Sequence, residues 1–275
     1  MKKRTKREVR EGIQSCLERR GRFDYNYLPF GRHWREPDER FRYRRRPVGK
    51  LGTLLTRTFL RLLGPVCIRI VYGAKVVGRR NLKSIKKTGA VCVCNHFSEL
   101  DTLFVRGAVG HYRSFHTASP KNNKTGVGGA ILRCGGLLPF SGNLAAMRNL
   151  DAEIGRLIHR RKIVNFYAEQ AMWTAYRKPR PMKKGAFHYA VKFNAPVLPI
   201  FCTFALSRRG NIRRLRINVL PAVYPDENLP RPARVERMRS DAESAWKACY
   251  ETAYNESLTY LAYRTEQLPE SEIRK

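Results

Sequence analysis

The stretch that decides the fold runs from Val91 to Val105 and reads VCVCNHFSELDTLFV. Its first four residues are small or β-branched, which is typical of a short buried strand. The next three interrupt that pattern, and a helix is predicted to follow, with Ser98 as its N-cap and Asp101 three positions later, as in a capping box. A strand that leads directly into a helix places His96 at the carboxyl edge of a sheet, where α/β proteins usually carry their chemistry.

His96 and Asp101 are too far apart in sequence to share one face of a helix, but a turn followed by the first helical turn can bring them together. A carboxylate that accepts a hydrogen bond from one ring nitrogen leaves the other nitrogen available as a base. The same spacing also fits a half-buried structural histidine beside an aspartate that only caps the helix. Spacing alone leaves both interpretations open.

The composition points to an anionic partner. The chain has 275 residues and a formal net charge of +33, which favours an anionic membrane surface, nucleic acid or an acidic carrier protein. Seven cysteines are scattered without a CxxC pair, so we expect a reduced, cytosolic setting and no metal site.

The segment 51–72 is predicted to be an amphipathic helix at a membrane interface. The apolar stretch around it carries Arg57, Arg61 and Arg69, so no membrane-spanning helix is expected. These arginines recur at multiples of four and mark one face, while leucines and Phe59 cover the rest. A peripheral position on the cytoplasmic face of the cell membrane follows from this interpretation. An ordinary amphipathic helix packed on the core is the alternative.

The remaining chain alternates strands and helices, which predicts an α/β fold with a mostly parallel central sheet flanked by helices. We expect a basic, irregular extension over residues 1–50, the α/β domain over residues 73–230, and a C-terminal amphipathic helix with a tail over residues 231–275. Within the last segment the helix is predicted from Val235 to Arg264.

A second informative stretch, Tyr167–Trp173, reads YAEQAMW and places Glu169 at another strand end. Basic residues follow it, among them Arg177, Arg180 and Lys184. Such cations suit a phosphomonoester, although a charge run is also typical of a solvated surface.

Several of these patterns resemble motifs of the glycerolipid acyltransferases, the 1-acylglycerol-3-phosphate acyltransferase family. The HX4D pattern of His96 and Asp101 resembles motif I, and the resemblance extends from Gly73 to about Pro221. The later motifs follow in the family's order: Tyr167–Gln170 in place of Phe-Pro-Glu-Gly, Lys184–Phe187 after it, and Val197–Ile200 as the fourth motif.

Two departures concern the acceptor. Gly142 stands about where the family has the arginine of motif II, and Gln170-Ala171-Met172 replaces the Gly-Thr-Arg of motif III. Arg148, Arg177, Arg180 or Lys184 would have to replace the missing phosphate-binding arginines, or the acceptor differs.

The resemblance implies an O-acyltransferase of phospholipid biosynthesis. It would move a fatty acyl group from a thioester to the free hydroxyl of a lysophospholipid, giving phosphatidic acid if the acceptor is 1-acylglycerol-3-phosphate. His96 would be the general base, Asp101 would orient it, and Glu169 would hold the acceptor or its loop. Backbone N–H groups near Ser98 or near Gly135-Gly136 are the candidate oxyanion donors.

No cofactor is implied beyond acyl-coenzyme A or acyl carrier protein as co-substrate. Glycerol 3-phosphate or a lyso-aminolipid are alternative acceptors. A basic nucleic-acid-binding protein is the less favoured alternative, because it does not explain His96 and Glu169 at strand ends.

Overall fold

The computed structural model describes residues 5–28, 33–43, 47–110 and 112–261. The predicted C-terminal tail beyond residue 261 lies outside the described residues, as do parts of the predicted N-terminal extension. In the described residues the strands are β1 (Lys75–Val77), β2 (Ala90–Cys94), β3 (Ser114–Ala118), β4 (Leu137–Pro139), β5 (Ile163–Phe166), β6 (Val197–Leu206) and β7 (Ile212–Val219). The helices are α1 (Lys6–Arg19), α2 (Pro47–Tyr72), α3 (Asp101–Val109), α4 (Gly126–Cys134), α5 (Leu144–His159), α6 (Gly185–Lys192) and α7 (Arg231–Tyr254).

The strands form one sheet in the order β1-β7-β6-β2-β5-β3-β4. All neighbouring pairs are parallel except β6 and β7. Strand β2 lies between β5 and β6, and all five of its residues are buried, because apolar side chains cover both faces of the sheet. The predicted α/β fold, with a mostly parallel sheet flanked by helices, is confirmed.

The predicted limits of helices α3 and α7 need correction. Helix α3 begins at Asp101 with Leu100 in the N-cap position, and the Ser98 hydroxyl accepts a hydrogen bond from the Leu100 N–H instead of capping the helix. Helix α7 ends at Tyr254, well before Arg264, because Asn255 adopts the left-handed conformation that commonly ends a helix.

Helix α2 turns its apolar side outward. It begins at Pro47, earlier than predicted, and continues through Pro65 to Tyr72. The three arginines predicted to share one face differ in burial: Arg57 is buried against the domain together with Gly64 and Ile68, whereas Arg61 and Arg69 are exposed. The large exposed apolar residues of the helix are Leu51, Leu54, Leu55, Phe59, Leu62, Leu63, Val66, Ile70 and Val71. Packing against the domain therefore accounts for one side of the helix and does not account for these exposed apolar residues.

No helix in the described parts of the chain is both long and apolar enough to cross a membrane.

Candidate active site

The end of strand β2 is held in place by Asn95. Its side-chain oxygen accepts a hydrogen bond from the Cys202 N–H at 2.8 Å, and its amide donates to the Cys202 carbonyl at 3.1 Å. Both bonds reach β6, so the buried amide continues the pairing of the two strands beyond the last residue of β2. This role was not predicted, because it requires a neighbour that is remote in sequence.

His96 and Asp101 meet as the resemblance to motif I implied. His96 Nδ1 lies 2.7 Å from Asp101 Oδ2. The histidine side chain is 22% exposed and the aspartate side chain only 1%, so the ring stands between the buried carboxylate and the solvent. With Nδ1–H donating to the carboxylate, Nε2 is the ring nitrogen left for a proton transfer.

Asp101 Oδ2 also accepts hydrogen bonds from the N–H groups of Phe97 and Ser98, at 2.9 and 3.1 Å. Hydrogen bonds to this one carboxylate oxygen therefore stabilise the turn after β2. Burial raises the pKa of Asp101, while the hydrogen bond from His96 and those from the backbone act in the opposite direction. Because the Phe97 and Ser98 N–H groups are used in this way, they are not free to serve as oxyanion donors.

The other predicted oxyanion donors are also engaged. The Gly135 N–H donates to the Ile131 carbonyl at 2.7 Å, and the Gly136 N–H donates to the Arg133 carbonyl at 2.9 Å. Both bonds close the end of helix α4, so this turn ends a helix and offers neither N–H to a reacting thioester.

The ring of Tyr167 stacks on His96 with 4.0 Å between the ring centroids and 19° between their planes. Tyr167 follows strand β5, the neighbour of β2, so the adjacent strand ends bring the two rings together. Burial raises the pKa of Tyr167 well above its usual value. The tyrosine limits the orientation of the His96 ring from one side, and the sequence signal for it was its place two residues before Glu169.

Glu169 holds the backbone around His96. Its Oε2 accepts hydrogen bonds from the His96 N–H at 2.9 Å and from the Arg180 guanidinium at 2.6 Å, while Oε1 accepts from the Arg180 N–H at 2.9 Å. Glu169 is 2% exposed, so all of these contacts are internal. The carboxylate is therefore buried against the backbone of His96 and is not exposed to solvent.

Arg180, which was predicted to bind phosphate, lies in the same buried network. Besides Glu169, its guanidinium donates to the carbonyls of His96, Ala171 and Phe23 at 3.3, 2.5 and 2.8 Å. It also lies over the Trp173 ring, 4.8 Å from the centroid. With the residue 2% exposed, the guanidinium faces the protein interior and not a substrate.

Arg177 and Lys184 are placed near helix α7. Arg177 lies over the Tyr254 ring at 5.1 Å, and Lys184 Nζ is 3.1 Å from Glu236. The six predicted site residues therefore divide into two groups. His96, Asp101, Glu169 and Arg180 form one hydrogen-bonded network, and the two other cations contact the C-terminal helix.

The basic N-terminal extension contributes to this network, which the sequence did not reveal. Trp173 Nε1 donates to the Tyr25 carbonyl at 3.0 Å, and the Thr174 N–H donates to the Tyr27 hydroxyl at 3.2 Å. Glu18 of α1 pairs with Lys178 at 2.8 Å. Residues 14–28 thus support the loop that carries Glu169 and Arg180.

In the described parts of the chain, no cluster of three or more His, Cys, Asp or Glu side chains is arranged to hold a metal ion.

A polar network of one imidazole and one buried carboxylate supports proton transfer by His96, with the carboxylate as its fixed partner.

Comparisons with known proteins agree with this geometry. Residues 73–203 match the sequence model of the family described as Acyltransferase. The fold is similar to that of the 1-acyl-sn-glycerophosphate (LPA) acyltransferase PlsC from Thermotoga maritima, with a TM-score of 0.51 and 18% identity over 73% of this chain and 83% of that chain. No curated protein matches the chain. Since that identity supports the fold alone, the family model carries the assignment together with the ordered motifs. Over residues 73–203 the chain matches the Acyltransferase family model, and this match and the order of its motifs support the glycerolipid acyltransferase family.

Proposed function

We propose that the protein transfers a fatty acyl group from an acyl thioester to the free hydroxyl of a lysophospholipid. The proposed acceptor is 1-acylglycerol-3-phosphate, which would give phosphatidic acid. The observation that carries this proposal is the pair formed by the His96 ring, whose side chain is 22% exposed, and the buried Asp101 carboxylate, 2.7 Å apart. This pair supports a general base next to a site that an alcohol can reach.

In the proposed reaction, His96 Nε2 takes the proton of the acceptor hydroxyl as its oxygen attacks the thioester carbonyl. The tetrahedral intermediate collapses, the carbon–sulfur bond breaks, and the imidazolium returns the proton to the leaving thiolate. Asp101 stabilises the imidazolium between these steps and keeps Nδ1 protonated. General base assistance of this kind contributes about 10²- to 10⁴-fold in rate.

Glu169 and Arg180 have a positioning role in this proposal. Their buried ion pair fixes the His96 N–H and carbonyl from behind, at 2.9 and 3.3 Å, so that the ring keeps its angle to Asp101. Neither side chain faces the space where an acceptor would approach, which argues against a direct role in binding its phosphate.

The donor is proposed to be acyl-coenzyme A or an acyl carrier protein, with no cofactor. The net charge of +33 suits the phosphates of coenzyme A and the acidic surface of a carrier protein equally well. Glycerol 3-phosphate or a lyso-aminolipid is a second candidate acceptor, and the residue that favours it is Gly142, which stands in place of the motif II arginine.

We also propose that helix α2 docks the protein on an anionic membrane surface, on the cytoplasmic face of the cell membrane. Its exposed apolar side would enter the interface, and exposed arginines such as Arg61 and Arg69 would contact lipid headgroups. Nucleic acid is the rival partner for this basic chain. Flotation with anionic and neutral vesicles separates the two, because nucleic-acid binding does not require the apolar side.

The direct test of the reaction is His96→Ala in the full chain, assayed with lysophosphatidic acid and labelled acyl thioesters of both kinds. Turnover is expected to fall by about 10²-fold or more, because the base is removed. The matched control is His188→Ala, an exposed histidine on α6. If the His96 variant is folded and retains near-normal turnover, the proposed mechanism is wrong.

A further inference from the structure

A cluster of polar side chains lies inside the domain, where α2 and α3 face the sheet. We call it the polar cluster, and its members are Arg57 of α2, Arg106 of α3, His116 of β3, Asn165 of β5 and the hydroxyl of Tyr167. The first four residues are buried. Residues of this kind are rarely buried without a specific set of partners.

One turn contacts three of these residues, Arg57 and Arg106 through their side chains and His116 through its backbone N–H. Arg57 Nε donates to the Cys134 carbonyl at 3.4 Å, Arg106 donates to the Gly135 carbonyl, and the His116 N–H donates to the Gly136 carbonyl at 2.9 Å. Gly136 has a φ of +96°, and a Cβ there would lie 2.3 Å from the Arg57 guanidinium. The turn therefore needs glycine to let the guanidinium approach so closely.

The sheet register places the other members of the polar cluster beside the first. Asn165 stands opposite His116 in the pairing of β5 with β3. Tyr167 comes two residues later on the same face of the chain, and its ring stacks on His96. The polar cluster is thus connected to the catalytic histidine through a single side chain.

Most members of the polar cluster have buried atoms without a hydrogen-bond partner among the described residues. These atoms are Arg57 Nη2, His116 Nδ1, both side-chain polar atoms of Asn165, and the Tyr167 hydroxyl. Leaving a buried polar group unsatisfied costs about 1–3 kcal/mol. Several such atoms in one place are expected when a further group completes the site.

The available atoms are mostly donors. His116 Nε2 lies 2.7 Å from the Ser114 hydroxyl, and when that hydroxyl donates, Nδ1 carries the proton of the neutral ring. Arg57 Nη2, Asn165 Nδ2 and the Tyr167 hydroxyl are donors as well. Asn165 Oδ1 is an acceptor and the Tyr167 hydroxyl can also accept, which suits the remaining proton of a singly protonated phosphate.

The charges of the polar cluster also favour an anion. Burial lowers the pKa of Arg57 to about 10 and that of Arg106 to about 9, and the Arg57 charge also acts on Arg106 in the same direction. Burial, Arg106 and Arg57 together hold the pKa of His116 well below its usual value. Two guanidinium groups buried near each other repel, and an anion between them would remove that cost.

We propose that the polar cluster binds a phosphate group, either free phosphate or the phosphate of a phosphomonoester acceptor. The acceptor case rests on the proposed function, and the free-phosphate case does not. Planar guanidinium groups and neutral donors are the usual ligands of such an oxyanion. The rival occupant is water, which would satisfy the same atoms without a requirement for negative charge.

The first experiment measures binding of inorganic phosphate and of glycerol 3-phosphate to the full chain. Calorimetry and thermal unfolding are carried out at constant ionic strength, with chloride as the reference anion. Phosphate is expected to bind and to raise the melting temperature above that in chloride. Arg57→Met is expected to weaken binding by about 10- to 100-fold, because Nη2, a donor without a partner among the described residues, is lost.

The matched control is Arg113→Met. Arg113 donates to the carbonyls of Arg161, Ile85 and Thr88, away from the polar cluster, so this variant should keep the phosphate affinity. If phosphate gives no more stabilisation than chloride, or if both arginine variants bind it equally, water occupies the polar cluster and the proposal is overturned.

Asn165→Leu keeps the test decisive if the arginine variants fail to fold. Replacing an unpaired buried amide by an apolar side chain of similar volume is tolerated or stabilising when no ligand is present. The variant should therefore remain folded in chloride and lose the stabilisation by phosphate. Full retention of that stabilisation in Asn165→Leu would also overturn the proposal.

The two sources of phosphate are separated by comparing affinities. An acceptor site should bind glycerol 3-phosphate or lysophosphatidic acid more tightly than inorganic phosphate, whereas a free-phosphate site should not. The outcome is independent of the proposed reaction. Acyl transfer without phosphate binding at the polar cluster refutes only this inference, and phosphate binding without acyl transfer refutes only the proposed function.

Discussion

Replacing Glu169 by glutamine tests whether this residue holds His96 or binds the acceptor. The substitution preserves the size of the side chain and removes its charge. One Oε atom of the native carboxylate accepts from the His96 N–H and from the Arg180 guanidinium, while the other accepts from the Arg180 N–H. In the variant, an amide NH₂ replaces one of these acceptors and faces a donor.

The expected loss of stability follows from burial. Both members of the Glu169–Arg180 pair are about 2% exposed, so the variant leaves an uncompensated guanidinium in the interior. Removing one partner of a buried ion pair costs about 3–5 kcal/mol. For a domain of this size, that corresponds to a melting temperature lower by roughly 6–20 °C.

The expected loss of activity follows from position. If Glu169 acts through the backbone of His96, kcat falls by about 10- to 100-fold while the KM for the acceptor changes little. Thermal unfolding and steady-state acyl transfer at several acceptor concentrations measure the two effects. Glu236→Gln is the control, because Glu236 pairs with Lys184 and Arg239 at the surface and its loss should change stability little. A Glu169→Gln protein that melts like the native chain and shows only a raised KM would refute the positioning role.

Three further predictions concern other parts of the molecule. Asp101→Asn should keep the fold and lower turnover about 100-fold or more, measured by acyl transfer and a thermal melt, because the imidazolium loses its counter-charge; a loss of melting temperature with normal turnover would favour a capping role. In the folded chain the pKa of buried His116 lies well below its usual value of about 6.5. As the pH falls below about 6.5, the unfolded chain is therefore protonated at this residue before the folded chain, and the free energy of unfolding decreases by about 1.4 kcal/mol per pH unit. Urea unfolding across this range should show a flatter pH dependence for His116→Asn, and an unchanged slope would contradict the assignment. Leu62→Asp on the exposed side of α2 should weaken binding to anionic vesicles in flotation, whereas Leu144→Asp, on the equally exposed start of α5, should not; equal effects would refute docking through α2.

For Glu169, the position along the chain was predictable from the sequence, but the direction of the side chain was not. Its place at the end of a strand was predicted, since a short apolar run followed by polar residues is a local pattern. The direction of the Glu169 side chain was not predicted. It depends on hydrogen bonds from the Arg180 guanidinium and the His96 N–H, and only the tertiary structure brings these groups to Glu169. The same reason explains why Arg180 was predicted to meet a substrate and lies inside.

Helix α2 gives the converse case. Its helical period and mixed character were visible in the sequence, but which side packs on the domain was not, since both an arginine stripe and an apolar stripe fit one helix. The structure buries Arg57 and exposes the leucines. The inward Arg57 guanidinium is held by the Cys134 and Tyr112 carbonyls and lies over the Phe115 ring, and all three partners are remote in sequence.

By itself, the sequence determined the α/β class, because that class depends on local periodicity, and the resemblance to the glycerolipid acyltransferases, because its motifs follow in order along the chain. That resemblance also implied the contact of His96 with Asp101, which spacing alone left open. The tertiary structure alone decided which charged side chains turn inward, that the N-terminal extension supports the loop after β5, and that Arg57, Arg106 and His116 share one interior site. Those arrangements depend on the order of strands in the sheet and on the packing of helices against it, and both join residues that no local pattern connects.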